Sequence, residues 1–431
     1  MARLVVTGGY VVPVEPRGVV WPGGQVIIDG GRIVAVGPAG APTLPGDVVI
    51  DATGMVVMPG FVNAHTHAAM TLMRGLAEDM TLMPWLEKIW QVEARLTGDD
   101  VYWGTLLAGI EMLASGITTF ADQYFFCDDV ARAVRDLGMR ASISRGLIGT
   151  GPDPAASLRE GTAFFERWHK AAGGRITAML GPHAPYTCPP DFIAQVVAAA
   201  KALDAPLHIH LSETREEVDE SLRVYGMSPI ERMANEGLFE KPVLAAHCVH
   251  VVGHDLDILA QVPGGVAHNP VSNLKLACGV APVTDMLARK INVGLGTDGA
   301  ASAGTLDMFA AMRQAALLAK NRNGDPTALP VATVLEMATL GGARALGLGE
   351  EIGSLVPGKR ADVIIVDLHR PHTMPLHDVL ATIVYSARPG DVKTVIVDGE
   401  VVYAGGRPVR IDPQVAAEQA EYRARRLVAG Q

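Results

Sequence analysis

Short apolar runs separated by Gly and Pro dominate the first 57 residues, and this pattern predicts β-strands. The predicted strands cover residues 4–6, 11–12, 25–29, 32–36 and 48–51, with a hairpin turn at residues 29–32. The same pattern returns near the end of the chain, at residues 363–367, 392–397 and 401–403. We therefore predict that residues 1–57 and 350–431 build one composite β-sandwich domain. Two unrelated β caps are the alternative.

The middle of the chain alternates between strand-like and helix-like segments. Apolar strands are predicted at residues 57–67, 118–121, 141–146, 176–182, 206–211, 243–248, 266–269 and 293–298. Segments rich in Ala, Leu and Glu lie between them, for example 102–115, 191–203 and 331–346. Strands that alternate with helices indicate a parallel sheet, so an α/β fold with a (β/α)8 TIM barrel is predicted over residues 58–349. Residues 74–96 form a long insertion that we expect to cover the barrel mouth.

Five of the eight predicted strands end in a histidine or an aspartate. His65 and His67 are two residues apart on one strand, so their side chains point to the same face. The other such residues, each at a different strand end, are His183, His210, His247 and Asp298. A single histidine after a strand is usually a buried or surface residue without a metal. Because the strand ends of a barrel converge on one mouth, this set favours a metal site.

Three imidazoles and a carboxylate, from His65, His67, His210 and Asp298, suit Zn²⁺, with Fe²⁺ and Mn²⁺ as alternatives. Glu213 lies three residues after His210, where it can exchange protons without binding the metal. The alternative for Glu213 is a solvated residue in the first turn of a helix. His247 is expected to stabilise developing charge, and its alternative is a hydrogen-bonded core histidine.

Composition restricts the classes of partner. The chain has 36 Lys and Arg against 46 Asp and Glu, a net charge of -10, and no basic run, so a nucleic-acid surface is not expected. No apolar run reaches the length of a membrane span, and the apolar start is too short for a secretory signal. Four scattered cysteines suit reduced thiols. We therefore expect a soluble cytoplasmic protein. We also expect it to be a homo-oligomer that binds a small-molecule substrate.

Motifs along nearly the whole chain resemble those of one family. They are PGFVNAHTHAAMTLMRGLAED (59–79), EARLT (93–97), SRGL (144–147), LGPHAPYTCP (180–189), HIHLSET (208–214), AAHCVH (245–250), HNPVSNLKLACGVAPV (268–283), GTDGAAS (296–302) and GSLVPGKRADVIIVDL (353–368). The sequence resembles the amidohydrolase superfamily, within it the 5-methylthioadenosine/S-adenosylhomocysteine deaminase group, which is related to triazine chlorohydrolases. This resemblance implies a barrel with a composite β-sandwich domain. It also implies the metal ligands named above, Glu213 as proton shuttle and His247 as the histidine of strand six.

The resemblance further implies substrate contacts. Glu93 matches a carboxylate that binds the ribose hydroxyls, and Arg145 and His183 match positions that hold the nucleoside. Without the resemblance, Glu93 is typical of an exposed helix residue and Arg145 of a salt-bridged rim residue. No lysine ends the fourth predicted strand, where dinuclear relatives carry a carbamylated one. One metal ion per chain is therefore expected, and a hydantoinase or dihydroorotase is not.

The leading hypothesis is metal-dependent hydrolytic deamination of an adenine nucleoside: S-adenosylhomocysteine, 5'-methylthioadenosine, adenosine or 5'-deoxyadenosine. Glu213 protonates the ring nitrogen, Asp298 takes a proton from the attacking water, and ammonia leaves. Both residues thus also contact the substrate. A second hypothesis is a free purine or pterin deaminase, or a triazine amino- or chlorohydrolase. A third, a scaffold without chemistry, is opposed by the intact ligand set.

Overall fold

Two β-sheets contain the strands of the computed structural model, which describes residues 2–40 and 42–429. In chain order these strands are β1 (Leu4–Val11), β2 (Trp21–Asp29), β3 (Arg32–Pro38), β4 (Val48–Asp51), β5 (Val56–Pro59), β6 (Phe61–Thr66), β7 (Ile117–Tyr124), β8 (Arg140–Leu147), β9 (Ile176–Pro182), β10 (Leu207–Leu211), β11 (Val243–His247), β12 (Gly264–His268), β13 (Val293–Leu295), β14 (Val363–Val366), β15 (Val392–Val397), β16 (Glu400–Ala404) and β17 (Arg407–Pro408). The first sheet holds the strands of both chain ends, and the second is the barrel.

Helices surround the barrel and extend to the chain's C-terminal part. They are α1 (Leu82–Glu93), α2 (Gly98–Ala114), α3 (Cys127–Leu137), α4 (Pro154–Trp168), α5 (Ala171–Gly174), α6 (Pro190–Leu203), α7 (Arg215–Tyr225), α8 (Pro229–Asn235), α9 (Asp255–Leu259), α10 (Pro270–Lys275), α11 (Val283–Ala288), α12 (Ala300–Ala303), α13 (Met308–Asn323), α14 (Val331–Glu336), α15 (Gly342–Ala345), α16 (Val379–Tyr385) and α17 (Pro413–Val428). A π-helical segment, Met337–Gly341, joins α14 to α15. In the part of the chain that the structure describes, no helix combines the length and the apolar character needed to cross a membrane.

Strands β6 to β13 form an eight-stranded parallel sheet in chain order. The last strand returns to the first, where the Asp298 amide donates a hydrogen bond of 3.0 Å to the His65 carbonyl. The predicted (β/α)8 barrel is thereby confirmed. The insertion after β6 contains α1, which lies over the barrel mouth, as expected.

The first predicted barrel strand, residues 57–67, is wrong in its extent because it joins two strands of different sheets. β5 pairs with β1 and β14 in the terminal sheet, and β6 pairs with β7 in the barrel. Gly60 lies between them, and a Cβ added there would meet the Thr118 side chain at 2.2 Å. Both strands are fully buried, so their apolar residues form one continuous run that hides the break.

The terminal sheet has the order β17-β16-β15-β14-β5-β1-β2-β3, with β4 paired to β1. Strands from both chain ends therefore share one sheet, as predicted, and the alternative of two unrelated caps is wrong. The predicted hairpin is present, since Asp29 pairs with Arg32 across the turn between β2 and β3. The division into domains at residues 57/58 and 349/350 stays a prediction.

Arg140 connects the two sheets. It begins β8, is 4% exposed, and donates hydrogen bonds from Nε and Nη2 to the two carboxylate oxygens of Asp362 at 2.8 and 3.1 Å. Its Nη2 also lies 3.0 Å from Asp398 Oδ1. Asp362 immediately precedes β14, and Asp398 lies in the turn between β15 and β16. One guanidinium therefore satisfies two largely buried carboxylates of the terminal sheet.

We predict that Arg140→Leu lowers the free energy of unfolding by about 3–5 kcal/mol, since it leaves the buried Asp362 carboxylate without its cation, whereas Asp398 keeps Arg360 at 3.4 Å. Equilibrium urea denaturation measures this. Arg135→Leu is the matched control because Arg135 pairs with Asp136 on the surface, its side chain 52% exposed, and should cost less than about 1 kcal/mol. Equal losses in the two variants would contradict the connecting role of Arg140.

Candidate active site

Four side chains at the C-terminal ends of β6, β10 and β13 face one point inside the barrel mouth. His65 lies on β6 and His67 follows its last residue, and because the two are two positions apart in extended chain, both point inward. Their Nε2 atoms lie 3.4 and 3.3 Å from Asp298 Oδ1, and His210 Nε2 lies 3.3 Å from His67 Nε2. The structure thus brings together all four residues that the sequence singled out as ligands.

These separations fit a divalent ion. Bonds of about 2.0–2.1 Å to a tetrahedral zinc place neighbouring ligand atoms about 3.3–3.4 Å apart. His65 Nε2 is buried and has no hydrogen-bond partner of good geometry, which is what a nitrogen reserved for a metal requires. His247 belongs to the same cluster, because single ligand atoms of His65, His210 and His247 all lie within 4.8 Å of one another.

The second ring nitrogen of each ligand histidine is held by a neighbour. His67 Nδ1 lies 2.7 Å from the Gln123 carbonyl, and His210 Nδ1 lies 2.7 Å from the His183 carbonyl. Because a carbonyl only accepts, Nδ1 carries the proton in both rings and Nε2 presents its lone pair to the metal point.

His65 is held by a histidine that the sequence reasoning missed. Its Nδ1 lies 2.8 Å from His208 Nε2, and His208 Nδ1 lies 3.1 Å from Ser144 Oγ. The signal for His208 was present, since it stands two residues before His210 on the same strand and must face the same side.

The protonation states of the ligand side chains favour the binding of a cation. Burial lowers the pKa of His65 to about 3 and lowers the pKa of His210 well below its usual value, so both imidazoles are neutral. Burial alone would raise the pKa of Asp298, but the surrounding histidines, His65 first, hold it well below its usual range. Neutral imidazoles and an ionised carboxylate are the forms that bind metal ions.

Glu213 lies beside the metal point and does not belong to a helix. It follows β10, is 4% exposed, and precedes α7. The alternative of a solvated first-turn residue is therefore wrong. Its Oε1 lies 3.5 Å from His247 Nδ1. Burial raises the pKa of Glu213. Burial also disfavours the charged form of His247, but the nearby carboxylates, Glu213 first, outweigh it and raise the pKa of His247.

Two further residues hold this pair in place, and the sequence reasoning named neither. The Glu217 carboxylate accepts the backbone N–H groups of Ser212 and Glu213 at 3.0 and 2.8 Å. Asn273 Oδ1 lies 2.8 Å from His247 Nδ1. Glu217 contacts residues only four and five positions away, whereas the contact of Asn273 depends on how α10 meets the end of β11.

A cavity above the metal point is lined on one side by α1. Its lining residues on that helix are Leu82, Trp85, Leu86, Trp90 and Glu93. Glu93 Oε1 is buried, and burial raises the pKa of Glu93 to about 7, against a smaller opposite effect of the Tyr124 hydroxyl. The alternative of an exposed helix glutamate is therefore wrong.

The remaining two predicted contacts differ in position. His183 lines the cavity, and its Nδ1 lies 2.9 Å from Thr187 Oγ1. Arg145 is absent from the described lining residues. It pairs with Glu160 at 3.0 Å, and its guanidinium lies 5.1 Å from the centroid of the Phe125 ring, which does line the cavity. Arg145 therefore does not line the cavity itself but packs behind Phe125, which does.

Comparisons with known proteins agree with this geometry. The sequence model of the amidohydrolase family matches residues 56–402. The 5-methylthioadenosine/S-adenosylhomocysteine deaminase of Desulforudis audaxviator is 60% identical over 378 residues, 88% of each chain. The 5'-deoxyadenosine deaminase of Methanosarcina mazei is 50% identical over 381 residues, 88% of each chain. An adenosine deaminase from Xanthomonas campestris with bound zinc has a TM-score of 0.95 and 37% identity, over 99% of this chain and 98% of that one.

We predict that His208→Leu weakens metal binding by about 10- to 100-fold, because His65 loses the partner that orients its ring. Metal content after dialysis against graded chelator concentrations measures this without an activity assay. The matched control is His169→Leu, a histidine that lies after α4, away from the cluster. Retention of wild-type affinity by folded His208→Leu, checked by circular dichroism, would contradict the orienting role.

Proposed function

The chain belongs to the amidohydrolase family, and we propose that it deaminates adenine nucleosides by hydrolysis, with S-adenosylhomocysteine, 5'-methylthioadenosine, adenosine and 5'-deoxyadenosine as substrates. One observation carries this proposal. The Glu93 carboxylate, whose Oε1 is buried, shares a cavity with the Glu213–His247 pair at the metal point. The first carboxylate suits a ribose, and the pair suits a leaving group that needs protons. The names of the relatives support the same substrate class.

The proposed cofactor is one Zn²⁺ ion per chain, held by His65, His67, His210 and Asp298, with Fe²⁺ and Mn²⁺ as alternatives. The zinc in the Xanthomonas campestris structure supports this choice. A divalent ion bound there lowers the pKa of a water molecule towards about 7 and so supplies the nucleophile. Elemental analysis of the purified protein should give a ratio near one, and a ratio near two would contradict a single ion.

The side chains around that point supply the proton steps. Glu213 delivers a proton to the ring nitrogen next to C6, and burial, which raises the pKa of Glu213, favours the protonated form that this step needs. Asp298 accepts a proton from the attacking water. His247, whose pKa is raised by Glu213 and Asp298, donates a hydrogen bond to the oxygen on which negative charge develops. Water adds at C6, Asp298 passes the proton that it accepted to the amino group, which leaves as ammonia, and the new C6 hydroxyl returns a proton to Glu213, so that the product is the inosine derivative.

The ribose is proposed to lie against Glu93, because the vicinal hydroxyls can both donate to one carboxylate. His183 contacts the nucleoside from the cavity wall. Arg145 positions it through Phe125, whose ring it supports.

Turnover of a panel of compounds, followed by ultraviolet absorbance, tests the proposal. Adenosine and its 5'-deoxy, 5'-methylthio and 5'-homocysteinyl derivatives should be deaminated far better than free adenine. If free adenine, guanine or a chlorotriazine is preferred over every nucleoside, the proposal fails, and the activity is that of a free-base deaminase or triazine hydrolase.

We predict that Glu213→Gln lowers kcat by roughly 10²–10⁴-fold, because the amide keeps the size of the side chain but cannot transfer a proton. Steady-state kinetics on the best nucleoside measure this, and metal content shows whether the centre is intact. Glu166→Gln, an exposed residue of α4, is the control and should behave as wild type. A kcat within about threefold of wild type would exclude Glu213 as the proton shuttle.

We predict that Glu93→Ala reduces the preference for nucleoside over free base by about 5- to 150-fold. The variant leaves the ribose hydroxyls without an acceptor, and an unpaired buried hydrogen-bonding group costs about 1–3 kcal/mol. The pH dependence offers a second readout. Since the pKa of Glu93 is raised to about 7, the carboxylate gains a proton as pH falls through that value. The KM for adenosine should then rise, and the KM for 2',3'-dideoxyadenosine should not. Equal pH profiles for the two compounds would contradict the ribose contact.

A further inference from the structure

The C-terminal helix α17 packs against α2, although the two helices lie at opposite ends of the sequence. Its buried residues are Ala416, Ala420, Arg423 and Leu427. Helix α2 follows α1 after only four residues, 94–97, here called the α1–α2 connection. Glu93, which we propose to bind the ribose, is the last residue of α1. The position of Glu93 therefore depends on how this connection is held.

Hydrogen bonds within the α1–α2 connection join Glu93 to the start of α2. The Leu96 N–H donates to the Glu93 carbonyl at 3.0 Å. The N–H and the hydroxyl of Thr97 both donate to Asp100 Oδ2, at 2.8 and 2.6 Å, and the Asp100 N–H donates to Thr97 Oγ1 at 3.4 Å. This capping box begins α2. The Asp100 carboxylate thus fixes one end of the connection, and Glu93 lies at the other.

Two arginines of α17 neutralise the Asp100 carboxylate. Asp100 is 1% exposed, and a carboxylate buried to that extent requires nearby positive charge. Arg426 Nη2 pairs with its Oδ2, and Arg423 Nε lies 3.8 Å from its Oδ1. Arg423 Nε also donates to the Asp99 carbonyl at 3.3 Å. The residue that caps α2 is therefore stabilised by the C-terminal helix.

Arg95 makes the reverse contact, from the α1–α2 connection to α17. It lies two positions after Glu93, and its Nη1 donates to the Leu427 carbonyl at 2.7 Å. Leu427 belongs to the last turn of α17, where backbone carbonyls lack partners within the helix and the helix dipole favours a cation. Cations therefore cross the contact in both directions, from the connection to α17 and from α17 to the connection.

The other contacts of α1 are less directional. Ile89 and Val92 are buried and hold the helix against the core, but apolar contacts set no direction. At the opposite end of α1, the N-cap residue Thr81 makes no side-chain capping hydrogen bond. The directional contacts therefore lie at the end that carries Glu93.

We propose that α17 anchors the α1–α2 connection, and that Arg95, Arg423 and Arg426 position the Glu93 carboxylate for the ribose. This inference rests on the proposed function, because it assigns these arginines a role in nucleoside binding. None of the three is among the described residues that line the catalytic cavity, so they act through Glu93. Loss of the anchor lets the Glu93 carboxylate shift, while the metal ligands lie on other segments of the chain.

The double variant Arg95→Met, Arg426→Met tests this, because methionine keeps an unbranched apolar side chain but removes the charged donors. The KM for adenosine should rise by about three- to tenfold, the range expected for the loss of a hydrogen bond. The KM for 2',3'-dideoxyadenosine and the metal content should stay at wild-type values. An effect on folding alone would change the kinetics of both compounds alike. If the double variant does not fold, Arg95→Met alone serves.

Arg425→Met is the control. Arg425 is the neighbour of Arg426 on α17, but its side chain is 79% exposed and pairs with Glu421 of the same helix. This variant should leave the KM for both compounds unchanged.

A double-mutant cycle shows whether the arginines act through Glu93. In the Glu93→Ala background, Arg95→Met should no longer raise the KM for adenosine, because the carboxylate that it positions is absent. A rise by the same factor in both backgrounds would overturn the inference, since Arg95 would then act on another part of the site.

Amide hydrogen exchange over residues 82–97 gives a readout that needs no activity. Exchange should be faster in the double variant than in wild type or Arg425→Met, because a less anchored connection opens more often. Unchanged exchange would overturn the anchoring role of α17.

The outcomes separate this inference from the proposed function. If wild type deaminates no nucleoside, the proposed function fails, and the role of the arginines in ribose binding fails with it. If wild type deaminates adenosine and the double variant has the same KM for it, only the positioning role is overturned.

Discussion

The hydrogen bonds between ligand histidines and barrel backbone are the interactions on which the site depends. The Nδ1 atoms of His67 and His210 face the carbonyls of Gln123 and His183, which lie at the ends of neighbouring strands. Strand pairing therefore sets the direction of each ring before a metal is bound. A shift of one residue in any of these strands would turn its ligand side chain to the opposite face. The geometry of the metal centre therefore depends directly on the register of the barrel strands.

The terminal sheet helps to fix the barrel strands at the end opposite to the metal centre. Gly60 allows the chain to pass directly from β5 to β6, so the strand that carries His65 and His67 continues a strand of the terminal sheet. Arg140 ties the start of β8 to the same sheet through two carboxylates. The sheet thus holds the beginnings of barrel strands whose ends hold the metal ligands, and it does so without taking part in the chemistry.

Local patterns predicted the parts of this structure that depend on neighbours in sequence. The two-residue spacing of His65 and His67 and the alternation of strands and helices are signals of that kind. Contacts between segments far apart in the sequence were not predicted. Examples are the hydrogen bond of His208 with His65 and the ion pairs of Arg140 with Asp362 and Asp398. The break at Gly60 was missed because burial on both sides removes any polar signal. The expected homo-oligomer and cytoplasmic location stay predictions.

The placement of α1 has a consequence for how such an enzyme diversifies. The helix lies in an insertion between two barrel strands, so its sequence can change, or its length can vary, without moving a metal ligand. It lines the cavity above the metal point, where we propose that the nucleoside binds. The residues of the metal point and the proposed ribose contact, Glu93, therefore lie on separate segments of the chain. A duplicated gene can therefore change the lining of the cavity through substitutions in α1 while the four residues of the metal point stay the same.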